Sequence, residues 1–149
     1  MTTGHCLCRA ISFAYEGEPR WTLNCHCESC RRATSSPMTT WVTVPRTAFR
    51  FTRGEPSYYA SSPGVRRGFC ARCGSPLTYE NERRPDEVDL LAGALDDPNQ
   101  ARPTAHLFTE EQLAWFETAD ELPRYAKTRR DGPALRHGPR SSAPSDSPS

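Results

Sequence analysis

Seven cysteines constrain this chain of 149 residues more than any other feature of its sequence. They fall into three groups along the chain, namely Cys6 and Cys8, then Cys25, Cys27 and Cys30, then Cys70 and Cys73. Clustered thiols in a reducing compartment indicate metal or redox chemistry, because disulfides rarely persist there. The two pairs together supply the four thiolates of a closed zinc site. The three central cysteines supply only three ligands, so a zinc ion bound to them would keep one coordination position open.

The charge and hydropathy of the chain exclude several classes of protein. Nineteen basic residues against eighteen acidic ones give a net charge of +1, so we do not expect a nucleic-acid partner. The N-terminus lacks the apolar run of a secretory signal, and no segment approaches the roughly 18 apolar residues that cross a bilayer. We therefore expect a cytoplasmic protein with no membrane partner, built as one domain.

Short segments that alternate apolar and polar residues predict a mainly β domain with little helix. The predicted strands cover residues 8–16, 21–25, 39–51 with a turn at Pro45, 57–61, 65–70, 75–81 and 87–95. Residues 109–119 carry a short helical pattern with Thr109 as its cap, and a surface turn is the alternative. From Thr128 onward Pro, Ser and Arg predominate. We thus expect a domain over residues 1–127 and a disordered tail over residues 128–149.

The paired cysteines predict a structural metal site. The segment "CARCGSP" is typical of a zinc knuckle, in which Gly74 supplies an unusual backbone angle. In an extended strand, Cys6 and Cys8 would share one face. Joining the two pairs would tie the first strand to the middle of the chain. A redox pair at Cys70 and Cys73 is the alternative, but no thioredoxin-like strand and helix surround that motif.

The three-cysteine segment leaves the fourth zinc ligand open. His26 lies between two of the cysteines, but in an extended chain it points to the opposite side, so we favour a role other than metal ligand. His106 is expected to be a buried histidine with satisfied hydrogen bonds. An external thiol suits the open position, and a metal-bound thiolate attacks carbonyl carbon readily. Zinc bound by three thiolates carries a negative charge. Arg31 and Arg32 either offset that charge, hold a carboxylate of the incoming ligand, or are ordinary surface arginines.

The order "GHCLC", "NCHCESCRRA", "FCARCGSPL" and "RPTAHLFTEEQLAWFETADELPRY" resembles the glutathione-dependent formaldehyde-activating enzyme family. That family shares its domain with the centromere protein V group and has an Mss4-like fold, and the resemblance runs from about Gly4 to Tyr125. It implies a small, zinc-stapled β-sheet domain with two zinc ions. The implied ligands are Cys6, Cys8, Cys70 and Cys73 for a structural zinc, and Cys25, Cys27 and Cys30 for a second zinc at the substrate site.

The activity that the resemblance implies is that of a carbon–sulfur lyase. Glutathione, as the small thiol substrate, would add to formaldehyde to give S-hydroxymethylglutathione, or the reverse, and the three central cysteines would serve catalysis. The alternative is a non-catalytic zinc-binding module that binds a protein or nucleic-acid partner. An ion held by three sulfurs and a water in a pocket would favour the enzyme. A fourth protein ligand without a pocket would favour the module.

Overall fold

The computed structural model describes residues 1–135 of the chain, which form two β-sheets with little helix. The strands of this part are β1 (Thr2–His5), β2 (Ser12–Tyr15), β3 (Trp21–Cys25), β4 (Thr39–Pro45), β5 (Phe49–Arg53), β6 (Ser57–Ser62), β7 (Val65–Phe69), β8 (Pro76–Asn81), β9 (Glu87–Leu91) and β10 (Ala105–Leu107). The helical elements are α1 (Glu28–Thr34) and short 3₁₀ helices at Arg46–Ala48, Ala92–Ala94, Pro98–Gln100 and Thr109–Glu111. This architecture confirms the prediction of a small, mainly β domain.

Strand pairing divides the chain unequally between the two sheets. A three-stranded sheet has the order β1-β2-β5, and a seven-stranded sheet has the order β10-β3-β4-β9-β8-β7-β6. Neighbouring strands of the larger sheet are antiparallel except for β10, which runs parallel to β3 and places Leu107 opposite Cys25. The late segment around β10 is thereby brought beside the three-cysteine segment.

The two faces of the larger sheet have different roles. One face packs against the smaller sheet, and the main core there includes Phe13, Tyr15, Val42, Val44, Leu77, Val88 and Leu90. The other face carries Trp41 and Leu91, which pack with Cys25 and Cys30 in a second apolar cluster. Because successive residues of a strand point to opposite sides, one layer of backbone separates the main core from the three-cysteine cluster.

Several elements differ from the sequence-based prediction near the first cysteine pair. The strand predicted from residue 8 begins only at Ser12, because the chain turns between β1 and β2. The N–H of Arg9 donates to the carbonyl of Cys6, and the N–H of Cys6 donates to the carbonyl of Ile11. Cys6 and Cys8 therefore meet through a turn and do not share the face of a strand. The predicted turn at Pro45 is present, but β4 and β5 on its two sides belong to different sheets.

The helices also lie at positions other than those that the sequence pattern predicted. Within residues 109–119 only Thr109–Glu111 forms a turn of 3₁₀ helix, which agrees with the alternative of a surface turn. That alternative also placed one aromatic side chain in the core, but Trp115 is exposed. The α-helix α1 lies inside the three-cysteine segment instead. It has seven residues, of which only Cys30 is buried. A helix of two turns with one buried side chain carries no periodic signal.

The last described residues lie against the domain. The guanidinium of Arg129 stacks 3.7 Å above the ring of Trp21, and the N–H of Leu135 donates to the carbonyl of Arg124. The domain boundary at residue 127 and the disordered tail stay predictions, and residues 136–149 of that tail lie outside the described residues. Within residues 1–135, every helix is too short or too polar to cross a bilayer.

Candidate metal centres and functional site

The two outer cysteine pairs form one group, as their spacing predicts. All four sulfur atoms lie within 4.8 Å of one another. The Sγ atoms of Cys6 and Cys8 are 3.7 Å apart, and those of Cys8 and Cys70 are 3.8 Å apart. A tetrahedron with Zn–S bonds of about 2.3 Å has S–S edges of about 3.8 Å. The group, completed by Cys73, therefore fits a zinc ion in both donor type and spacing.

Two loops hold these sulfurs with similar backbone geometry. Gly74 has a φ of +77°, and its N–H donates to the carbonyl of Cys70. Arg9 has a φ of 63° at the matching point of the first loop. The N–H of Ile11 also donates to Cys6 Sγ at 3.3 Å. Hydrogen bonds of this kind favour the thiolate, which is the form of cysteine that binds metal.

The second loop stabilises a thiolate in the same way. Hydrogen bonds from the side chain and then the backbone of Ser75 lower the pKa of Cys73 to about 5. The Ser75 hydroxyl lies 3.2 Å from Cys73 Sγ. The four-cysteine cluster therefore joins the β1–β2 turn to the β7–β8 turn at the edge of the main core, with one thiol already ionised at neutral pH.

The three central cysteines form a second group in which all sulfurs lie within 4.8 Å of one another. Cys25 ends β3, Cys27 caps α1 and Cys30 lies in the first turn of that helix. The cap is made by a thiol, because Cys27 Sγ accepts the N–H of Cys30 at 3.3 Å. Among residues 1–135, no histidine, aspartate or glutamate joins this group as a fourth donor.

His26 lies on the side opposite the three sulfurs, as strand alternation predicts. Its Nε2 is 2.8 Å from Nδ1 of His106, whose Nε2 lies 3.0 Å from both carboxylate oxygens of Asp120. Since the carboxylate only accepts, His106 donates to Asp120 and accepts from His26. Burial lowers the pKa of His26 to about 4, so this ring is neutral at pH 7. His106 is fully buried with both nitrogens paired, as expected.

The two arginines that follow the cluster in sequence are engaged elsewhere. Arg32 forms a surface ion pair with Glu28 at 2.8 Å, one helical turn away. Arg31 donates through Nε to the carbonyl of His26 and through Nη2 to the carbonyl of Glu111. The surface-arginine alternative is therefore correct for Arg32. Arg31 instead ties α1 to the segment that follows β10.

A cationic group from a distant strand lies close to one of the cluster sulfurs. Nη2 of Arg67, on β7, lies 4.0 Å from Cys30 Sγ. Its guanidinium carbon lies 4.9 Å from the centroid of the Tyr79 ring, and its Nε donates to Ser61 Oγ at 3.2 Å. Sequence reasoning missed this residue. Alternation shows that Arg66 and Arg67 point to opposite faces, but it does not show which face carries the cluster.

The surroundings of the three-cysteine cluster favour ionisation of Cys30 over Cys25. Hydrogen bonds from the thiols of Cys25 and Cys27, followed by the positive charge of Arg67, hold the pKa of Cys30 far below its ordinary value. Hydrogen bonds with Cys27 and Cys30, followed by burial, raise the pKa of Cys25. Cys30 is therefore the sulfur of the cluster that lies beside a cation, with Arg67 Nη2 at 4.0 Å.

Apolar side chains surround the cluster on the outer face of the large sheet, namely Trp41, Tyr79, Leu91 and Phe108. A cleft of about 650 Å³ lies next to α1. Two threonines of its wall, Thr34 and Thr39, direct their hydroxyls to the carbonyl of Cys30 at 2.8 and 3.4 Å. The cleft therefore borders the backbone of the cluster, although no cysteine side chain lines it.

Known proteins share both the sequence pattern and the fold. An uncharacterized lyase of Schizosaccharomyces pombe is 38% identical over 93 residues, which is 55% of this chain and 61% of the relative. The chain thus matches less than two thirds of that protein's length. A crystal structure of a Rhodobacter sphaeroides protein superposes with a TM-score of 0.55 at 22% identity, over 66% of this chain and 93% of the other. That likeness shows a shared fold.

The family comparison covers the part of the chain that contains both clusters. The model described as glutathione-dependent formaldehyde-activating enzyme matches residues 1–111. This range is well over half of the 149 residues and includes all seven cysteines. The chain therefore belongs to the glutathione-dependent formaldehyde-activating enzyme family.

Proposed function

We propose that the protein is a zinc-dependent carbon–sulfur lyase that acts on a small thiol–aldehyde adduct, such as S-hydroxymethylglutathione formed from glutathione and formaldehyde. The observation that carries this proposal is the group of Cys25, Cys27 and Cys30, which gains no fourth donor from residues 1–135. Three protein ligands and an open position are typical of catalytic zinc, whereas four are typical of structural zinc. By the same rule, the four-cysteine cluster holds the structural ion.

The chemistry that zinc would supply at the three cysteines is to keep a substrate thiol ionised near neutral pH. The protein's own residues then orient the reacting groups. The cap at Cys27 and the short helix α1 fix two of the sulfurs relative to each other. The hydrogen-bond chain from Asp120 through His106 to His26 holds the backbone between Cys25 and Cys27 in position from the side opposite the sulfurs.

The proposed reaction needs no net oxidation or reduction. In the lyase direction the adduct RS–CH₂–OH gives its hydroxyl proton to water, the C=O bond forms, and the C–S bond breaks with its electron pair on sulfur. The apolar side chains around the cluster, including Trp41 and Leu91, limit access of water to the reacting atoms. Free thiols and a thiol substrate suit a reducing compartment, so we propose a cytoplasmic location.

The test is an exchange assay on the zinc-loaded full chain. Magnetisation transfer between ¹³C-formaldehyde and its glutathione adduct measures the rate in both directions, and the panel includes other thiol and aldehyde pairs. We expect the wild type to accelerate exchange for at least one pair and Cys27→Ala to lose this effect. A wild type that keeps its zinc and its fold, yet matches buffer for every pair, would instead support the non-catalytic binding module.

A further inference from the structure

Arg67 differs from its neighbour Arg66 in its electrostatic partners. Arg66 pairs with Glu80 at 2.9 Å, whereas within residues 1–135 no carboxylate lies within ion-pair distance of Arg67. Its Nη1 is buried and has no hydrogen-bond partner in the described part of the chain. A buried, unpaired donor on a charged group lowers the stability of the fold, so such a group indicates a functional site.

The guanidinium of Arg67 is held in position by the fold. Its backbone lies in β7, which is paired on both sides, with β6 and with β8. The Tyr79 ring lies against the guanidinium, and the Ser61 hydroxyl accepts from Nε. These contacts leave Nη2 directed at Cys30 Sγ, and within residues 1–135 Nη1 stays buried without a partner. A donor fixed before the reaction stabilises developing charge more effectively than a mobile one.

The distance of 4.0 Å from Nη2 to Cys30 Sγ decides which substrate atom Arg67 can reach. In a hydroxymethyl thioether the oxygen is two bonds from the sulfur, so it stays close to any sulfur bound at the cluster. The carboxylates of glutathione are many bonds further from its thiol. The aldehyde-derived oxygen is therefore the group that most readily comes within hydrogen-bond distance.

We propose that Arg67 binds the aldehyde-derived oxygen of the adduct and stabilises its negative charge as the C–S bond forms or breaks. This inference rests on the proposed lyase function. In the direction of adduct formation, the sulfur electron pair forms the C–S bond and the C=O π pair moves onto oxygen. The resulting alkoxide accepts hydrogen bonds from Arg67 and then takes a proton from water. In this step Arg67 acts as a hydrogen-bond donor and a fixed positive charge, and water supplies the proton.

The first test compares Arg67→Met and Arg67→Lys with Arg66→Met as the matched control. We expect the Arg67→Met variant to lose about 100-fold in turnover, as for removal of an oxyanion donor, and the lysine variant to keep part of the rate. The affinity for glutathione alone should be unchanged. Arg66→Met should retain wild-type turnover, because Glu80 keeps its ion pair with Arg46 at 2.9 Å. Thermal melts and zinc analysis establish that each variant is folded and loaded.

The second test measures binding of matched thiols by calorimetry. Mercaptoacetate carries an oxyanion close to its sulfur and ethanethiol carries none, so the wild type should prefer mercaptoacetate and Arg67→Met should lose that preference. Glutathione and its diethyl ester should respond equally to the substitution. A loss confined to glutathione would assign Arg67 to a distant carboxylate and overturn the proposal.

The outcomes also separate this inference from the proposed function. An active wild type with an unimpaired Arg67→Met variant would overturn the role of Arg67 alone. A wild type that binds thiols but accelerates no adduct exchange would overturn both.

Discussion

His106 connects Asp120 to the loop that carries Cys25 and Cys27, although it touches no sulfur. Replacing His106 by alanine would leave the buried Nε2 of His26 without an acceptor. We expect His106→Ala to lower the free energy of unfolding by about 2 kcal/mol. The loop would also lose the hydrogen-bond chain that holds it in position, so cobalt affinity at the three-cysteine cluster should fall about 10-fold.

Urea denaturation and titration with cobalt, followed by thiolate absorption, measure these two effects of His106→Ala. His5→Ala is the control, because the partly exposed His5 ring contacts Asp96 and the carbonyl of Cys6 and is not part of the hydrogen-bond chain behind Cys25 and Cys27. Unchanged cobalt affinity in the His106→Ala protein would show that the hydrogen-bond chain does not position the cluster.

Gly68, the neighbour of Arg67 on β7, leaves no room for a side chain. A Cβ there would lie 2.3 Å from Thr78 Oγ1 and 3.1 Å from Tyr58 Cε1. We expect Gly68→Ala to destabilise the protein by about 2 kcal/mol, measured by chemical denaturation. Gly93→Ala should cost much less, because nothing lies within 4 Å of a Cβ at that position. Equal costs for the two substitutions would contradict this account.

At the scale of elements, α1 depends on the residues around it. A helix of seven residues is not stable alone in water, and its cap is the Cys27 thiol. At its other end, Ser35 adopts a φ of 51° and its N–H bonds to the carbonyl of Arg31. The helix therefore exists because β3, the cap and the packing of Cys30 hold it in place. It presents two of the three sulfurs on a short, fixed segment.

The two cysteine clusters should respond differently to mutation because they join different elements. Cys70→Ala removes a thiol that links the β7–β8 turn to the β1–β2 turn, so it should lower the melting temperature strongly. Cys30→Ala removes a thiol from a cluster within one local segment, so it should spare the fold and abolish thiol binding. Thermal melts and calorimetry measure the two effects. The opposite order would mean that the structural and functional roles of the clusters are exchanged.

At the scale of the whole molecule, the large sheet separates the two cysteine clusters. The four-cysteine cluster adjoins the main core, where Cys6 and Cys70 are almost fully buried. The three-cysteine cluster lies on the other face, where a separate small group of apolar side chains packs around it. A site with an open position exchanges metal more readily than a closed site coupled to folding.

We therefore expect two zinc ions per chain with unequal lability. A chelator should remove one equivalent while the far-ultraviolet circular dichroism stays constant, and the second only with unfolding. Metal analysis after each step of the titration measures this order. Loss of both ions in a single step together with the fold would contradict the assignment of one structural and one functional site.

The amino-acid sequence by itself determined the features that are encoded within a few neighbouring residues. The cysteine spacing predicted two separate clusters, strand alternation predicted the direction of His26, and the knuckle motif predicted the unusual backbone at Gly74. The short alternating segments were sufficient for a mainly β fold. Each of these features follows from local geometry and from ligand number, which do not depend on how distant strands pair.

Only the tertiary structure decided which distant residues surround the three-cysteine cluster. The parallel pairing of β10 with β3 places His106 behind the loop, and the order of strands in the large sheet places Arg67, not Arg31, beside Cys30. Strand order and strand partners result from packing across the whole domain, so no local pattern reveals them. The residues proposed to act on the substrate oxygen and to brace the cluster were therefore visible only once the sheets were assembled.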